Sequence, residues 1–477
     1  MSGHQPCQVT LDNCDQAYRV SLDYPSTAIY RAKNTALDES PVEAKPLSQD
    51  GEYRRRDIDV VVATREGLRP VPKSLEDHAE NFDLRHEDFK EPDYLYELYS
   101  HMRAKAAIAH TDFPFLSTRE DGAWVAMTYN ECYEILKNWE TFSSTPPPGD
   151  AMQLSGDVVI LLDPPRQQAL RKVLNPYFSP GRMKQLQPQI RAETDALINE
   201  FVEDGHGDLA VVAWQQPGIV FFKYLLGMPV GDVPLCIELT DEALNGETEE
   251  IRLTAWGGLY EHITNAVTTR MQGEPQDDMI DVLLSAEIDG VKLRFDDVVS
   301  NAMLLVQAGL ETTASAMSYA FHYLGTRPDE RDRLIHEPEL MSTAVEELIR
   351  FAGSIHGIPR TVTKEVEIGG LNLCPGQQVI VNYASANRDD REFPDAHRCI
   401  LDREPNRHLG FGAGVHRCLG SNLARLEFRI GVEQTLARMP DYTVATDAES
   451  IFHGNSVTRG FRKVPVVFTP GPRVGPD

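Results

Sequence analysis

Apolar positions that recur every three or four residues dominate the middle of the chain and predict a mainly helical protein. Such helical patterns are found at 94–107, 129–139, 183–204, 231–245, 251–272, 276–287, 295–326 and 338–352. Alternating or short apolar runs predict strands at 124–128, 366–370, 378–381 and 464–468. Because helical segments far outnumber strand segments, the pattern predicts a mainly α fold with small β-sheets at one side.

The first 81 residues differ from the rest of the chain. They are rich in polar residues and proline, carry an arginine cluster at 54–56 and contain one strand-like stretch at 58–62. Segments of this composition bury little apolar surface, so we interpret 1–81 as an extension that is partly disordered or wrapped over the core. The core domain is predicted to span 82–477, with a proline-containing loop at 143–163.

Composition excludes several classes of protein. The 477 residues are 41% hydrophobic and 25% charged, which is ordinary for a globular enzyme. No apolar run is long enough to cross a bilayer and the N-terminus shows no signal-peptide pattern, so we expect a cytoplasmic protein. The net charge of −27 disfavours nucleic acid and anionic membranes as partners. The seven cysteines are dispersed, which argues against a disulfide framework or a zinc site.

One of these cysteines, Cys418, lies in a glycine-rich loop directly before a helical pattern. Residues 411–420 have the sequence FGAGVHRCLG. The glycines permit tight backbone turns, and the N-terminus of the following helix favours a thiolate over a thiol. A single thiolate in such a loop is a suitable ligand for a heme iron. The alternative is a buried structural cysteine in a helix-capping loop.

The loop closely resembles the cysteine loop of the cytochrome P450 family, which reads F-G-x-G-x-H-x-C-x-G, and every fixed position is matched. The resemblance covers roughly 82–470 and implies the family's single-domain triangular prism, organised as in soluble bacterial camphor-type hydroxylases. It also implies heme b as cofactor, with Cys418 as the axial ligand of the iron. Phe411, His416 and Gly420 are then expected to contact the heme.

A second candidate site lies inside the apolar helical pattern 295–326. The sequence Ala308-Gly-Leu-Glu311-Thr312-Thr combines a glycine, a carboxylate and threonines in an apolar helix. An interior glycine costs about 1 kcal/mol, an unpaired buried carboxylate costs more, and threonine can bond back to a carbonyl and bend the helix. These features predict a local distortion. The alternative is a packing glycine followed by a surface turn.

This segment is similar to the oxygen-activation segment of the same family, A/G-G-x-D/E-T. The resemblance implies that the helix opens a groove for dioxygen and that Ala308 and Gly309 lie against the heme. It also implies that Glu311 and Thr312 are catalytic and deliver protons, because cleavage of the O–O bond consumes two protons in an otherwise dry pocket.

A third pair, Glu347 and Arg350, is spaced so that the two side chains meet on one helix face. On a solvent-exposed helix such a pair is common and weak. Here it resembles the E-x-x-R pair of the family, which implies a structural role beneath the heme. The third partner is expected within 403–408, where Asn406, Arg407 and His408 remain open.

Groups suited to the heme propionates occur at four positions. The segment 163–171, DPPRQQALR, is similar to the family pattern D-P-P-x-H-x-x-x-R, with Gln167 in place of the histidine. The resemblance implies that Arg171 binds a propionate, for which its planar donor fork is suited. Arg360 and His416 match two further propionate positions. Taken singly, each would be an ordinary surface group.

The substrate pocket and the redox partners are less well defined by the sequence. By position, the pocket draws on 145–162 and Ala308, and on Leu304, Gln307, His356, Ile358 and Val457. This largely apolar set predicts a small-to-medium apolar substrate, with Gln307 and His356 as polar contacts. No flavin or ferredoxin module is fused to the chain, so electrons are expected from a separate ferredoxin and its reductase. The basic candidates for docking are Arg166, Arg171, Lys172, Arg182, Lys184, Arg417 and Arg425.

The resemblance therefore implies a heme-dependent monooxygenase, expected as a monomer, that uses O2 to insert one oxygen atom into an apolar substrate by hydroxylation or oxidative dealkylation. Two alternatives stay open. A peroxide-dependent heme-thiolate enzyme is disfavoured by Glu311 and Thr312, since peroxide use requires no such proton relay. A non-catalytic heme-binding sensor is disfavoured by the combination of proton-relay and propionate groups.

Overall fold

The computed structural model describes residues 75–80, 82, 92–111, 122–147, 156–246, 248–446, 449–454 and 457–475. The chain divides into Met1–Val71 and Pro72–Asp477, and every described residue belongs to the second unit. Most of the predicted extension 1–81, including its strand at 58–62, lies outside the described residues. Its described helix, Leu75–Glu80, packs through Leu75 and Ala79 on a core cluster that includes Phe82.

The apolar periodicity of the sequence is realised mostly in helices. The described helices are α1 Leu75–Glu80, α2 Pro92–Lys105, α3 Tyr129–Lys137, α4 Arg166–Leu174, α5 Pro180–Asn199, α6 Leu209–Phe221, α7 Val233–Asn245, α8 Glu249–Gln272, α9 Met279–Ser285, α10 Phe295–Gly325, α11 Pro328–His336, α12 Met341–Ala352, α13 Tyr383–Ala386 and α14 Ser421–Arg438. The described strands are β1 Ile108–Thr111, β2 Ala123–Ala126, β3 Phe142–Ser143, β4 His206–Asp208, β5 Glu287–Ile288, β6 Val291–Lys292, β7 Gly357–Val362, β8 Val366–Ile368, β9 Leu371–Leu373, β10 Gln378–Asn382, β11 Thr443–Val444, β12 Ile451–Gly454, β13 Arg459–Lys463 and β14 Pro465–Val467.

The long helix α10 runs through the apolar core. It begins after Arg294, whose backbone N–H donates a hydrogen bond to the Asp297 carboxylate, so one of the unpaired N–H groups near the start of the helix is satisfied. The first half of α10, up to Leu310, belongs to one cluster of buried side chains, and the second half, from Ala314, belongs to another. Because both halves are buried, α10 links the two parts of the core.

A five-stranded sheet borders the helical core in the order β1-β2-β10-β7-β3. Strands β2 and β10 are parallel, and the other neighbours are antiparallel. In the β7–β10 pairing Arg360 lies opposite Val379, so the sheet fixes the backbone position of Arg360. The remaining strands form a three-stranded sheet, β11-β14-β4, and the pairs β12–β13, β5–β6 and β8–β9.

The predicted fold class, mainly α with small β-sheets, is confirmed, and the predicted helices are found with ends shifted by a few residues. The helices α4, α6 and α11 were missing from the predicted set. The reason is clearest for α6, which is buried on nearly all sides and contains Pro217, so it shows no amphipathic period. Among the described helices, only Leu209–Leu226 is long and apolar enough to cross a membrane; 72% of it is buried within the protein, as expected of a core helix.

Candidate functional site

The loop that carries Cys418 is shaped by two glycines. Gly412 and Gly414 have positive φ values of 63° and 69°, which other residues rarely adopt. A Cβ atom on Gly414 would also collide with the backbone carbonyl oxygen of Leu136 in α3. The backbone N–H of Cys418 donates a 2.8 Å hydrogen bond to the carbonyl oxygen of Phe411, which closes the loop.

The thiol of Cys418 is accessible although protein surrounds it, as expected of a group that faces a cavity. Burial raises the pKa of this thiol, and a hydrogen bond with the backbone of Gly420 opposes the rise. The charges of Arg171, Arg417 and Arg425 oppose it as well. Positive groups and backbone N–H donors favour a thiolate, which is the form of cysteine that binds metal ions.

Helix α4 brings two of the predicted site residues to this loop. The side-chain amide of Gln167 donates a 2.8 Å hydrogen bond to the carbonyl oxygen of Val415. Arg171 donates a 2.9 Å hydrogen bond to the carbonyl oxygen of Arg417. Both contacts fix α4 against the backbone on either side of His416. The amide nitrogen of Gln167 is therefore engaged by the protein itself.

Arg171, Arg360 and His416 form one electrostatic cluster. Burial, and then the charges of Arg360 and Arg171, lower the pKa of His416 to about 3, so its imidazole is neutral near pH 7. Arg360 is 4% exposed and donates to the carbonyl oxygen of Pro359. Among the described residues, no carboxylate is hydrogen-bonded to any member of this cluster. Two guanidinium groups without an acidic partner make this part of the site suited to a carboxylate ligand.

Glu311 is buried in α10, and its carboxylate is held by residues near the C-terminus. Thr458 Oγ1 donates a 2.8 Å hydrogen bond to Glu311 Oε1, and Arg462 Nη2 lies 3.2 Å from the same oxygen. Arg462 also donates a 2.6 Å hydrogen bond to Asp241 Oδ1 and stacks on the ring of Trp214. The side chains of Arg462 and Asp241 are 21% and 32% exposed, so these groups connect the buried carboxylate with the surface.

The predicted distortion of α10 does not interrupt the helix. Thr312 Oγ1 donates the expected hydrogen bond to the carbonyl oxygen of Ala308, at 2.9 Å, but the helix stays α-helical from Phe295 to Gly325. Gly309 instead allows close packing, because a Cβ at this position would lie 3.1 Å from the Phe221 ring of α6. The alternative interpretation, a packing glycine, is therefore the correct one for Gly309.

One stripe of α10 is open although its neighbours are buried. Leu304, Ala308 and Thr312 are half-buried or exposed, whereas the adjacent residues 305, 306, 310, 311 and 313 are buried. Residues four positions apart share a helix face, so the three open residues line one side of the helix. Gln307 adjoins the stripe, and its amide nitrogen is buried without a hydrogen-bond partner. This face of α10 is the natural wall of a ligand cavity.

Glu347 and Arg350 form a fully buried pair with two 2.7 Å hydrogen bonds between the guanidinium and the carboxylate. The third partner is Arg403, whose Nε lies 3.1 Å from both carboxylate oxygens. Asn406, one of the three open candidates, also donates to Glu347. The other two candidates are wrong, because Arg407 pairs with Glu392 and His408 with Glu346.

The predicted substrate residues divide between a cavity and the core. Ile358 belongs to a small cavity lined by Ser144, Pro146, Ile160, Leu161, Ile358, Pro359, Arg360, Thr361 and Gln378. His356 is 1% exposed, and its Nδ1 lies 2.8 Å from the Tyr99 hydroxyl. The half-buried Val457 accepts a hydrogen bond from the His356 backbone. The Nε2 atom of His356 is buried without a hydrogen-bond partner, so the role of His356 as a polar contact for substrate stays a prediction.

No sequence pattern pointed to Thr458 or Arg462, and Arg403 lies in the predicted stretch 403–408 but was not among the three residues singled out there. Thr458 and Arg462 are 147 and 151 residues away from Glu311, and Arg403 is 56 residues away from Glu347. Single threonines and arginines at such distances cannot be assigned to a site by spacing, because only the tertiary fold brings them there.

Comparison with known proteins identifies the family of this chain. The sequence model of the cytochrome P450 family matches residues 254–456. A steroid C26-monooxygenase of Mycobacterium tuberculosis is 30% identical over 366 residues, which cover 74% of this chain and 97% of the relative. A vitamin D(3) 25-hydroxylase of Pseudonocardia autotrophica is 30% identical over 386 residues, which cover 79% of this chain and 93% of the relative. The chain belongs to the cytochrome P450 family, and its relatives are monooxygenases and hydroxylases.

Solved structures share the fold. CYP109E1 from Bacillus megaterium, solved with testosterone, has a TM-score of 0.72 and 27% identity, covering 80% of this chain and 99% of the other. P450 EryK, solved with erythromycin B, has a TM-score of 0.73 and 28% identity, covering 81% of this chain and 98% of the other. The expected enzyme class, a cytochrome P450 monooxygenase with heme b, is therefore confirmed.

The residues of the site fit heme b. The accessible thiol of Cys418 lies near positive charges, which favour the thiolate that would ligate the iron. The guanidinium groups of Arg171 and Arg360 could bind the two propionates. Cysteine-ligated heme supplies the reductive activation of O2. Gln167 fits less directly, because its amide nitrogen already donates to Val415. Its expected contact with the heme stays a prediction, as do those of Phe411 and Gly420.

Proposed function

We propose that this protein is a heme-dependent monooxygenase that inserts one oxygen atom from O2 into a small-to-medium apolar substrate. The proposal rests mainly on the position of Glu311. Its buried carboxylate is hydrogen-bonded to Thr458 and Arg462, and the next residue, Thr312, lies on the open face of α10. A buried acid with a path to the surface is what proton delivery to a closed pocket requires. In this proposal Cys418 ligates the iron, and Arg171, Arg360 and His416 contact the propionates.

Glu311 and Thr312 have separate roles. Glu311 exchanges protons with solvent near the surface where Asp241 lies, and Arg462 holds the carboxylate in place without itself carrying the proton. Thr312 presents its hydroxyl on the open stripe of α10 and holds it by the hydrogen bond to Ala308. The hydroxyl can still accept a hydrogen bond while it donates to the carbonyl. It is thus able to orient a water or an oxygen atom in the cavity.

The substrate is proposed to be apolar and of steroid-like or lipid-like character. The walls available to it, Leu304, Ala308, Ile160, Leu161 and Ile358, are mostly apolar. Gln307 is the polar group that fits best, since its buried amide nitrogen has no hydrogen-bond partner. The relatives named for steroids and vitamin D(3), and the neighbour solved with testosterone, support this class.

Electrons are proposed to come from a separate ferredoxin and reductase, in a cytoplasmic, monomeric enzyme. Of the seven basic candidates, Arg166 pairs with Asp157 and Arg425 pairs with Glu346. Lys172, Lys184 and Arg417 are exposed, and within the described residues they have no ion-pair partner. These three side chains are the ones available to an acidic partner, despite the net charge of −27.

A carbon monoxide difference spectrum of the reduced protein tests the proposal. Thiolate ligation by Cys418 should give a band near ~450 nm, and Cys418→His should lose it. A wild-type band typical of histidine-ligated heme would refute the assignment. Titration with steroids, fatty acids and macrolides, followed by the spin-state shift of the heme, then identifies the substrate class.

Turnover experiments separate the two alternatives from the proposal. A peroxide-dependent enzyme would form product with hydrogen peroxide at least as fast as with O2 and reduced ferredoxin, and would be insensitive to Glu311→Gln. A sensor would bind compounds without turnover under either condition. The proposed monooxygenase forms product with O2 and electrons and loses activity with Glu311→Gln.

A further inference from the structure

The N-terminal part of α10 binds a segment of chain that leads to the heme site. This segment, residues 156–162, forms the last part of the predicted loop 143–163 and precedes α4. The buried carboxylate of Asp297 accepts a 2.8 Å hydrogen bond from the backbone N–H of Asp157. The same carboxylate is held by the guanidinium of Arg294, at 2.7 Å. Asp297 therefore fixes one end of the segment to α10.

Asn301, one turn further along α10, holds the segment at two more points. Its Oδ1 accepts a 3.1 Å hydrogen bond from the backbone N–H of Val159. Its Nδ2 donates a 2.6 Å hydrogen bond to the carbonyl oxygen of Asp157. Asn301 is fully buried, so these hydrogen bonds replace bonds to water that the side chain has lost.

Gly156 shows how closely the segment approaches α10. A Cβ atom at this position would lie 2.5 Å from the carbonyl oxygen of Asp296 and 3.0 Å from the Cα of Asp297. Backbone atoms of a helix cannot move away as a flexible side chain does. Any side chain at 156 would therefore displace the segment from α10.

The other end of the segment reaches the site. Ile160 and Leu161 line the cavity that also contains Ile358 and Arg360. The backbone of Leu162 lies close to His416, which follows the glycine turns of the Cys418 loop. The position of Ile160 and Leu161 in the cavity wall is thus set by contacts that α10 makes with Gly156, Asp157 and Val159, one to five residues earlier in the chain.

We propose that Asp297 and Asn301 are positioning residues that set substrate specificity by holding segment 156–162 against α10. The inference rests on the proposed function, because it assigns Ile160 and Leu161 to the wall of the substrate pocket. Neither Asp297 nor Asn301 contacts substrate. They act through the backbone of Asp157 and Val159, and their loss should change the binding of large ligands but not of small ones.

The test compares two probes that ligate the heme iron in the holoenzyme. Imidazole is the small probe, and 4-phenylimidazole is the large one because it carries an additional phenyl ring. We expect Asn301→Ala, Asp297→Ala and Gly156→Ala to weaken 4-phenylimidazole binding about tenfold and to leave imidazole binding unchanged. Asp297→Asn keeps the oxygen that accepts from Asp157 and should stay near wild type. Gly181→Ala is the matched control, since a Cβ there meets nothing within 4 Å.

Hydrogen exchange of the full chain gives a readout that is independent of ligand binding. Peptides covering 156–162 should exchange faster in Gly156→Ala than in Gly181→Ala, although the Asn301 and Asp297 side chains are intact in both. Equal 4-phenylimidazole affinities in all variants, or a parallel loss for both azoles, would overturn the proposal. A wild-type protein without the thiolate band would instead refute the proposed function and leave the exchange result standing.

Discussion

The hydroxyl of Thr458 donates a 2.8 Å hydrogen bond to the carboxylate of Glu311, across 147 residues of chain. This contact joins the last part of the chain to the open face of α10. Both side chains are buried, at 5% and 4% exposure. Hydrogen bonds to charged groups in such places contribute about 1.5–3 kcal/mol, so Thr458 is an important determinant of where the carboxylate lies.

Thr458→Val should reduce the coupling of electron use to product formation. The variant keeps the shape of the side chain but removes the donor to Glu311, so the carboxylate is held by fewer groups. We expect product per electron pair to fall by about threefold to tenfold, while the carbon monoxide spectrum stays unchanged. Product and reduced cofactor consumed are measured together. The exposed Thr443→Val serves as control, and equal coupling in both variants would contradict the assignment.

Thr312→Ala should release hydrogen peroxide at the expense of product. The variant removes the hydroxyl that α10 presents on its open stripe, while the helix itself remains intact. Thr312→Ser retains the hydroxyl and should retain most of the coupling. Peroxide and product are quantified with the same substrate in both variants. Unchanged peroxide release in Thr312→Ala would exclude the proposed role of this residue.

Local sequence patterns, together with the family resemblance, pointed to Cys418 and Glu311 as candidates, and they correctly predicted the contact between Glu347 and Arg350. In each case the informative residues lie within one turn or one loop, where spacing determines geometry. Local patterns did not identify the residues that bind the carboxylates of Glu347 and Glu311, because Arg403 and Thr458 reach them only through the tertiary fold. The sequence also suggested a bent α10, because Gly309 was considered without its neighbour Phe221 on another helix. The partners of the two carboxylates and the role of Gly309 all depend on packing between segments that are distant in the sequence.

Glu347→Gln should destabilise the folded protein. Burial opposes ionisation of Glu347, but hydrogen bonds from Arg350 outweigh it and lower the pKa of the carboxyl. The variant leaves the buried guanidinium of Arg350 without its counter-charge, which typically costs about 3–5 kcal/mol. Urea unfolding measures the loss, with the exposed Glu339→Gln as control. Equal unfolding midpoints for the two variants would show that the pair is dispensable for stability.

Lys172→Glu and Lys184→Glu should slow electron transfer from ferredoxin. Both lysines are exposed, Lys172 on α4, which contacts the Cys418 loop, and Lys184 on the following helix α5, and an acidic partner would be repelled by the new charges. The effect should be largest at low ionic strength and disappear at high ionic strength, because salt screens exposed charges. Stopped-flow reduction of the heme provides the rate. Lys292→Glu, on the exposed strand β6, is the matched control and should behave as wild type.

The stability of the protein should fall as the pH decreases from about 6.5 to about 4, and His322 should be one of the histidines responsible, beside His356 and His416. Burial, and then the charge of Arg327, lower the pKa of His322 to about 4, and its ring stacks on Phe461 at 4.0 Å. Below its usual pKa the unfolded chain binds a proton that the folded protein does not, so acid favours unfolding by up to about 3 kcal/mol. His322→Phe keeps the stacked ring and removes the titration, and its urea midpoint should therefore vary less between pH 7 and pH 5 than that of wild type. A variant at the exposed His397 should retain the wild-type pH dependence; if His322→Phe retains it too, another group is responsible.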